Sequence, residues 1–533
     1  MQPYRLTIDK FLEHAAQWFP NVEVVEAPNG SAASRRNYSN IRERSNRLSG
    51  ALAALGVTRG QRIGTLAWNT LDHLEIYYGA MASGIVCHTL NPRLTHDQLA
   101  AIIEEAEDRV LAVSKTLLPL AGKIVPLCPR LEHLIILDDE PPVGEIFGSA
   151  RTWTFAELLE EHGHQVTWGD FEEEAPAGLC YTSGTMGPPK GVLYTHRSNY
   201  LHTLRALQAD AMAISSTDVV LVAVPMFHAN GWGLPFACPA VGAKMVLPGR
   251  HMDGASLAKL MRDERVTIAV GVQTVWLGVV DHLNEQGDEL PDLQRIIIGG
   301  SSCPDNLIRR MEQGLGARVQ ASWGMTELSP LGTISPPHTT NELNSSAGRP
   351  LLGLDLKLTD AAGERLPEQR NRLGHLHVKG ASVVDRYFNA PSDALDDEGF
   401  FNTGDLAMID DAGDLTICGR SKDLIKSGGE WINPAEIEAI VGQDRSVSLV
   451  AVISTPDDKW GERPLLIVQP RSGGEVDAES LIGLLRGKVA DWWIPERIAW
   501  IPSMPLSGSG KIDKSRLRAD VEAGRISSEP VGG

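Results

Sequence analysis

The sequence predicts an α/β protein: a large N-terminal region of α/β subdomains followed by a small C-terminal α+β domain. Three observations predict it. Helix and strand patterns alternate early in the chain, an order that packs helices against buried sheets. Two apolar strand candidates, Asp218–Met226 and Leu293–Gly300, run straight into Gly-rich polar turns. Open α/β sheets bind ligands at such carboxyl ends. Finally, the charged stretch Gly419–Asp423 separates these patterns from a shorter set near the C-terminus.

The elements follow in order. Residues 1–60 read as helices around a connector. Ser39 is a candidate N-cap, Ile41, Leu48, Leu52 and Leu55 keep one apolar face, and Gly56 is a natural stop. Arg62–Leu66 reads as a strand and 71–83 as a helix. Thr95-His96-Asp97-Gln98 has capping-box form and opens a helix to about Ala106, followed by a strand at Arg109–Ser114. Gly178–Cys180 and Val192–Tyr194 read as short strands on either side of a loop, and His196–Asp210 as a helix. Residues 344–380 carry short strands with turns at Gly353, Gly363 and Gly374. Beyond residue 422 the pattern is a helix at Pro434–Val441 and strands around Leu449–Ile453 and Leu465–Pro470. Residues 524–533 read as disordered, and no internal repeat is present.

Composition narrows the function classes. At 533 residues, two or three subdomains are expected. The net charge of −19 argues against a non-specific nucleic-acid binder and against general affinity for anionic membranes. Six dispersed cysteines without a CxxC fit reduced thiols, and neither a zinc site nor a disulfide framework. The N-terminus lacks a signal-peptide core, and no apolar run approaches bilayer length. A cytoplasmic protein is expected.

The stretch Tyr181–Gly191 reads YTSGTMGPPKG. Thr182, Ser183 and Thr185 supply hydroxyls, Gly184 and Gly187 leave backbone N–H groups unobstructed, and Lys190 adds a cation. That combination suits phosphate oxygens; a mobile turn with no ligand is the other reading of the loop alone. A strand–helix phosphate loop is excluded, because G-x4-G-K-[S/T] needs glycine where Pro189 stands. Five more segments carry chemistry-bearing residues: FHANGWG with His228 and Trp232; SWGMTE with Ser322, Trp323, Gly324, Met325, Thr326 and Glu327; TGD ending at Asp405; GRSKD with Arg420 and Lys422; and SGSGKIDK with Lys511. Taken singly, each has a bland reading as a core histidine, a helix start, a Gly-Asp turn or a solvated lysine.

In this order, over about residues 35–525, the segments resemble the adenylate-forming superfamily of acyl- and aryl-CoA synthetases, peptide-synthetase adenylation domains and firefly-type luciferases. The loop departs from the usual pattern once: Met186 stands where a second Thr is common, and methionine donates no hydrogen bond. The resemblance implies an N-terminal AMP-binding domain at 1–421 and a mobile C-terminal domain at 422–533, hinged at Lys422. It implies ATP and AMP contacts from Thr182, Ser183, Gly184, Thr185, Gly187, Lys190, Gly300, Ser301, Ser302, Ser322, Trp323, Gly324, Met325, Thr326, Asp405, Arg420 and Lys511. Thr182 and Glu327 would hold Mg²⁺. His228, Glu327 and Lys511 would be catalytic, and His228, Trp232 and Trp323 would line and gate the acyl site. Lys426, Gly428, Gly429, Glu430 and Trp431 would enter on the coenzyme A side.

The implied reaction joins a carboxylic acid to ATP as acyl-AMP and then transfers the acyl group to coenzyme A. FHANGWG, SGGEWIN and PDDKWGERP most resemble fatty-acyl-CoA ligases and relatives acting on short or medium acids such as 3-methylthiopropionate. Aryl acids, a carrier-protein-loading adenylation domain and a luciferase-like monooxygenase are the alternatives. The expected partners are small molecules, with no nucleic acid and no membrane span, and a homodimer is left open.

Overall fold

The computed structural model describes residues 2–27, 34–137, 150–182, 189–300, 303, 305–337, 346–428, 430–471, 476–507 and 511–531. Two large sheets build the N-terminal part. One has seven strands, in the order 151–154, 133–137, 110–114, 62–66, 86–89, 176–181 and 191–195. Every neighbouring pair in it is parallel except the last, the hairpin that flanks the Ser/Thr/Gly loop. The other has nine strands, parallel through 318–324, 295–299, 268–272, 219–222, 244–247 and 23–26, with antiparallel additions at both edges.

Residue alternation explains how both sheets are buried. Ile63, Val110, Ala112 and Ile135 share one core with Val220, Val222, Val270 and Ile297 of the facing sheet. Their neighbours in sequence point the other way, Leu111, Val113 and Leu134 under one helical layer and Leu221, Ala269 and Ile296 under another. A two-residue period with both faces apolar is what parallel sheets with helical cover require. Helix Leu71–Met81 lies in the shared core and is buried on every side. Its Glu75 is fully buried and is neutralised by Arg36 and Arg44, each at 2.9 Å.

A four-stranded antiparallel sheet (354–359, 374–380, 401–409, 415–420) follows and ends at Arg420. Ser421–Asp423 forms a single 3₁₀ turn, after which the chain enters a six-stranded sheet with its own core of Ile425, Ile432, Ile437, Val452, Leu466 and Ile498. Among the described residues, no helix is long and apolar enough to cross a membrane.

Local signals match where they are strong. Thr95 and Gln98 form the capping box, and Gly56 ends its helix at φ 79°. Several boundaries move for tertiary reasons. Helix Tyr38–Ala54 is capped by Asn37, not Ser39, because Tyr38 is already inside the core with its hydroxyl donating to the Ala243 carbonyl at 2.6 Å. The strand expected over 218–226 is confined to Val219–Val222. Beyond it the side chain of Asn69 donates to the Val222 and Val224 carbonyls and accepts from Met226 N–H. The helix from His196 stops at Ala206, and Gly374 opens a strand where a turn was expected. Glu529–Pro530, expected to be disordered, pairs with Arg497 and Ile498, and the Trp500 indole donates to Glu529 at 2.7 Å.

Candidate active site

Four charged side chains converge where strands of the nine-stranded sheet end beside the four-stranded one. Asp405 is buried at 2% exposure. One oxygen accepts from the Trp323 indole N–H at 2.9 Å, and the other pairs with Arg420 Nε at 2.8 Å. Burial pushes the Asp405 carboxyl up, and Arg420 opposes that rise. Glu327 is also buried, with its carboxyl pushed up by desolvation; one oxygen accepts from the Tyr387 hydroxyl at 2.8 Å. Lys511 comes from the C-terminal domain. Burial and the Arg420 cation pull its ammonium down to about 8, while Asp405 and Glu327 pull it back up.

Gly300 makes room for that lysine. Its φ is 93°, and a Cβ there would stand 3.0 Å from Lys511 Cε. Ser322 donates to the Ile298 carbonyl at 2.7 Å and tightens the same turn. Trp323 packs its ring on Gly332, and Gly324 lies against the Pro330 carbonyl, where no side chain fits. Met325 and Thr326 lead into the short turn that presents Glu327, and Tyr194 holds it by donating to the Thr326 carbonyl at 2.8 Å.

The acyl-side candidates follow strand 219–222 of the same nine-stranded sheet. Tyr77 donates to the Met226 carbonyl, and Asn69 fixes the same backbone, so the segment entering His228 is held from the buried helix below. Burial, with the Lys511 cation second, pulls the His228 imidazole down to about 4, so it is neutral at pH 7. Ala229–Gly233 then runs entirely at positive φ, with Ala229 at 44°, Asn230 at 54° and Trp232 at 54°. The turn is pinned by Ala229 N–H on Cys180 Sγ at 3.4 Å and by Asn230 on Asn199 at 3.4 Å. It aims the Trp232 ring at Gly299, where a Cβ would come within 2.9 Å of the ring. A cavity lined by Thr89, Asn91, Tyr181, Phe227 and His228 lies beside it.

Of the loop, Thr182 and Lys190 are described, with Thr182 N–H donating to the Lys190 carbonyl at 2.9 Å. Ser183, Gly184, Thr185, Met186 and Gly187 lie outside the described residues, as do Ser301, Ser302 and Gly429. The Lys190 ammonium sits 4.8 Å over the Tyr387 ring. Tyr387 thus touches both Lys190 and Glu327, yet no sequence pattern singled it out. Asn69 was missed for the same reason: both act on groups far away in the chain.

Lys422 occupies the 3₁₀ turn between the domains. Lys426, Gly428, Glu430 and Trp431 form a tight hairpin whose described hydrogen bonds and ring contacts stay within the C-terminal domain. Lys426 lies 5.6 Å over Trp431, and Gly428 N–H donates to the Trp460 carbonyl at 2.8 Å. Among the described residues, the charged cluster receives Lys511 rather than this hairpin.

This fold, with a lysine from a second domain over a buried acidic pair, defines an adenylate-forming enzyme. The AMP-binding enzyme family matches residues 12–388, and the AMP-binding enzyme C-terminal domain matches residues 436–511. The chain belongs to that family and is an AMP-forming ligase of the acyl-CoA synthetase class. It is 39% identical to the 3-methylmercaptopropionyl-CoA ligase of Ruegeria lacuscaerulensis, over 97% of this chain and 98% of that protein. It is also 39% identical to the medium-chain-fatty-acid–CoA ligase of Ectopseudomonas oleovorans, over 97% and 96% of the two chains. Among solved structures, the anthranilate CoA ligase AuaEII with anthranoyl-AMP superposes at a TM-score of 0.89, covering 98% of this chain and 99% of that one at 22% identity.

Proposed function

We propose that the chain activates an uncharged short- or medium-chain fatty or methylthioalkanoic acid as its acyl-AMP and passes the acyl group to coenzyme A. The observation that carries the reading is Lys511 from the second domain lying against Gly300, within the field of Arg420, Asp405 and Glu327. In the first half-reaction the acid's carboxylate attacks the α-phosphorus of ATP, and pyrophosphate leaves with the bridging oxygen's electron pair. Lys511, which carries a proton at pH 7, neutralises charge on the phosphoryl oxygens; such fixed cations supply most of the help phosphoryl transfer needs. Asp405 accepts from the ribose hydroxyls through lone pairs not used by Trp323 and Arg420, and Arg420 reaches ribose or phosphate. Neutral His228 orients the acid's carboxylate by hydrogen bonding rather than by charge.

Glu327 suits a hard divalent cation. One oxygen is anchored by Tyr387, and burial disfavours its bare charge, which a metal ion would compensate. Glu327 and Thr182 would hold Mg²⁺, which neutralises phosphate charge when bound. In the second half-reaction the coenzyme A thiol displaces AMP from the acyl carbon after Lys511 has withdrawn and the Lys426–Trp431 hairpin has entered, the domain turning about Lys422. Trp232 and Trp323 offer apolar walls to the acid's tail, in keeping with the two relatives at 39% identity.

The test is an acid panel scored by coenzyme-A-dependent AMP release. It runs from acetate to palmitate, with 3-methylthiopropionate and benzoate. The expected result is a maximum at 3-methylthiopropionate or the medium-chain acids. A maximum at benzoate, or no coenzyme-A-dependent AMP with any acid, overturns the reading.

A further inference from the structure

We infer that Asn433 is a positioning residue that latches the domain arrangement in which Lys511 reaches the phosphate site; the inference rests on the two-step reading above. Asn433 follows the hairpin that comes after the interdomain turn and is buried at 6% exposure. Its carboxamide has two jobs. The oxygen caps helix Pro434–Val441 by accepting from Ala435 N–H at 3.1 Å. The nitrogen donates back across the turn to the Cys418 carbonyl at 2.7 Å and to Glu436 at 3.1 Å.

The two ends of the Asn433–Cys418 bond belong to different domains. Cys418 is the extra residue of a β-bulge: Leu406 pairs with Gly419 and Ala407 with Ile417, leaving Cys418 without a Cα partner across the ladder. At Gly419, a Cβ would stand 3.0 Å from the Asn433 side-chain oxygen, so the glycine leaves room for the approach. Helix Pro434–Val441 is fixed to the C-terminal domain. Ile437 and Val441 lie in its core, and Glu438 accepts from Val452 N–H at 2.6 Å. Glu438 also pairs with Lys514 at 2.7 Å, three residues from Lys511. One short path therefore runs from the Cys418 carbonyl through Asn433, the helix and Glu438 to the segment bearing Lys511.

A hydrogen bond at 2.7 Å tolerates little misalignment. A turn at Ser421–Asp423 large enough to withdraw Lys511 breaks the Asn433–Cys418 bond and leaves the helix cap intact. Asn433 thus favours the first half-reaction over the second.

Asn433→Asp separates latch from cap. Aspartate caps as well as asparagine and suits a helix N-terminus, but it cannot donate and sets a carboxylate against the Cys418 carbonyl. Asn433→Ser is the second variant, because serine also caps and is too short to hold the same carbonyl. Acid-dependent ATP–pyrophosphate exchange is expected to fall about tenfold in both variants. Thioester formation from synthetic acyl-AMP and coenzyme A should be unchanged or faster, with melting near wild type. Unchanged exchange, or equal loss of both half-reactions with a normal melt, overturns the latch. If Asn433→Asp melts early, the Asn433→Ser variant decides on the same ratio of half-reactions. Wild-type enzyme without exchange on any acid overturns the ligase reading itself, a result distinct from a failed latch.

Discussion

Lys511 is poised by its neighbours to titrate near working pH. Burial and Arg420 lower it to about 8, against the pull of Asp405 and Glu327. Its cation is therefore present below that pH and lost above it. Because kcat/KM reports the free enzyme, kcat/KM for ATP in pyrophosphate exchange should fall above pH 8, approaching about tenfold per pH unit. Lys511→Arg keeps its charge throughout, so its high-pH limb should flatten even if its rate is lower. A wild-type profile still flat a full pH unit above 8 sinks the role given to this lysine. At the residue scale, side chains that carry charge inside short patterns were legible: Lys511, Asp405, Arg420 and Glu327 meet in the structure as one cluster. Tyr387, Asn69 and Asn433 were not. Each acts by hydrogen bonds to a carboxylate or backbone group that only the fold brings near.

At the scale of elements, the turn Ala229–Gly233 holds its tryptophan by conformation as much as by packing. Ala229, Asn230 and Trp232 all sit at positive φ. Left-handed backbone costs roughly 1–2 kcal/mol for each such residue. Cys180, Asn199 and the packing of Trp232 over Gly299 offset that cost. Trp232→Ala leaves the backbone demand unchanged and removes the ring, so it isolates the role proposed for that ring at the acyl site. Its relative kcat/KM for long or bulky acids over short ones should rise by about tenfold or more, within the range set by a few methylenes of pocket. An acid profile identical to wild type counts against the gate. The two glycines beside the tryptophan marked a turn in the sequence, but nothing there revealed that the whole run is left-handed, since Ala and Trp rarely adopt that form. Elements with local signals were legible, as with the capping box at Thr95 and Gln98. Those trimmed by distant groups were not: Asn69 ends a strand from another subdomain, and Tyr38 moves a helix start by burying its ring.

At the scale of the whole molecule, two large sheets and a smaller one form the floor of the site, and a separately cored domain supplies its lysine. The turn Ser421–Asp423 joins them, flanked by the His375–Ser421 hydrogen bond at 2.9 Å on one side and the Asp423–Arg518 pair at 2.8 Å on the other. Each flank is thus tied to its own domain, and the rotation proposed above would fall on Lys422 between them. The present turn is 3₁₀, a form whose ordinary φ overlaps the range that proline's ring imposes. Lys422→Pro should therefore trap the arrangement seen here, with Lys511 in place. Pyrophosphate exchange should survive within about tenfold, and thioester formation from acyl-AMP and coenzyme A should fall by about a hundredfold or more, because the Lys426–Trp431 hairpin cannot enter. The proline ring crowds Ser421, so a small drop in melting temperature is expected. Loss of the C-terminal domain's packing would instead appear as a separate early transition. Equal loss of both half-reactions with one normal melt would show that Lys422 is not the pivot. Retained thioester formation would show that the domains exchange positions by bending elsewhere.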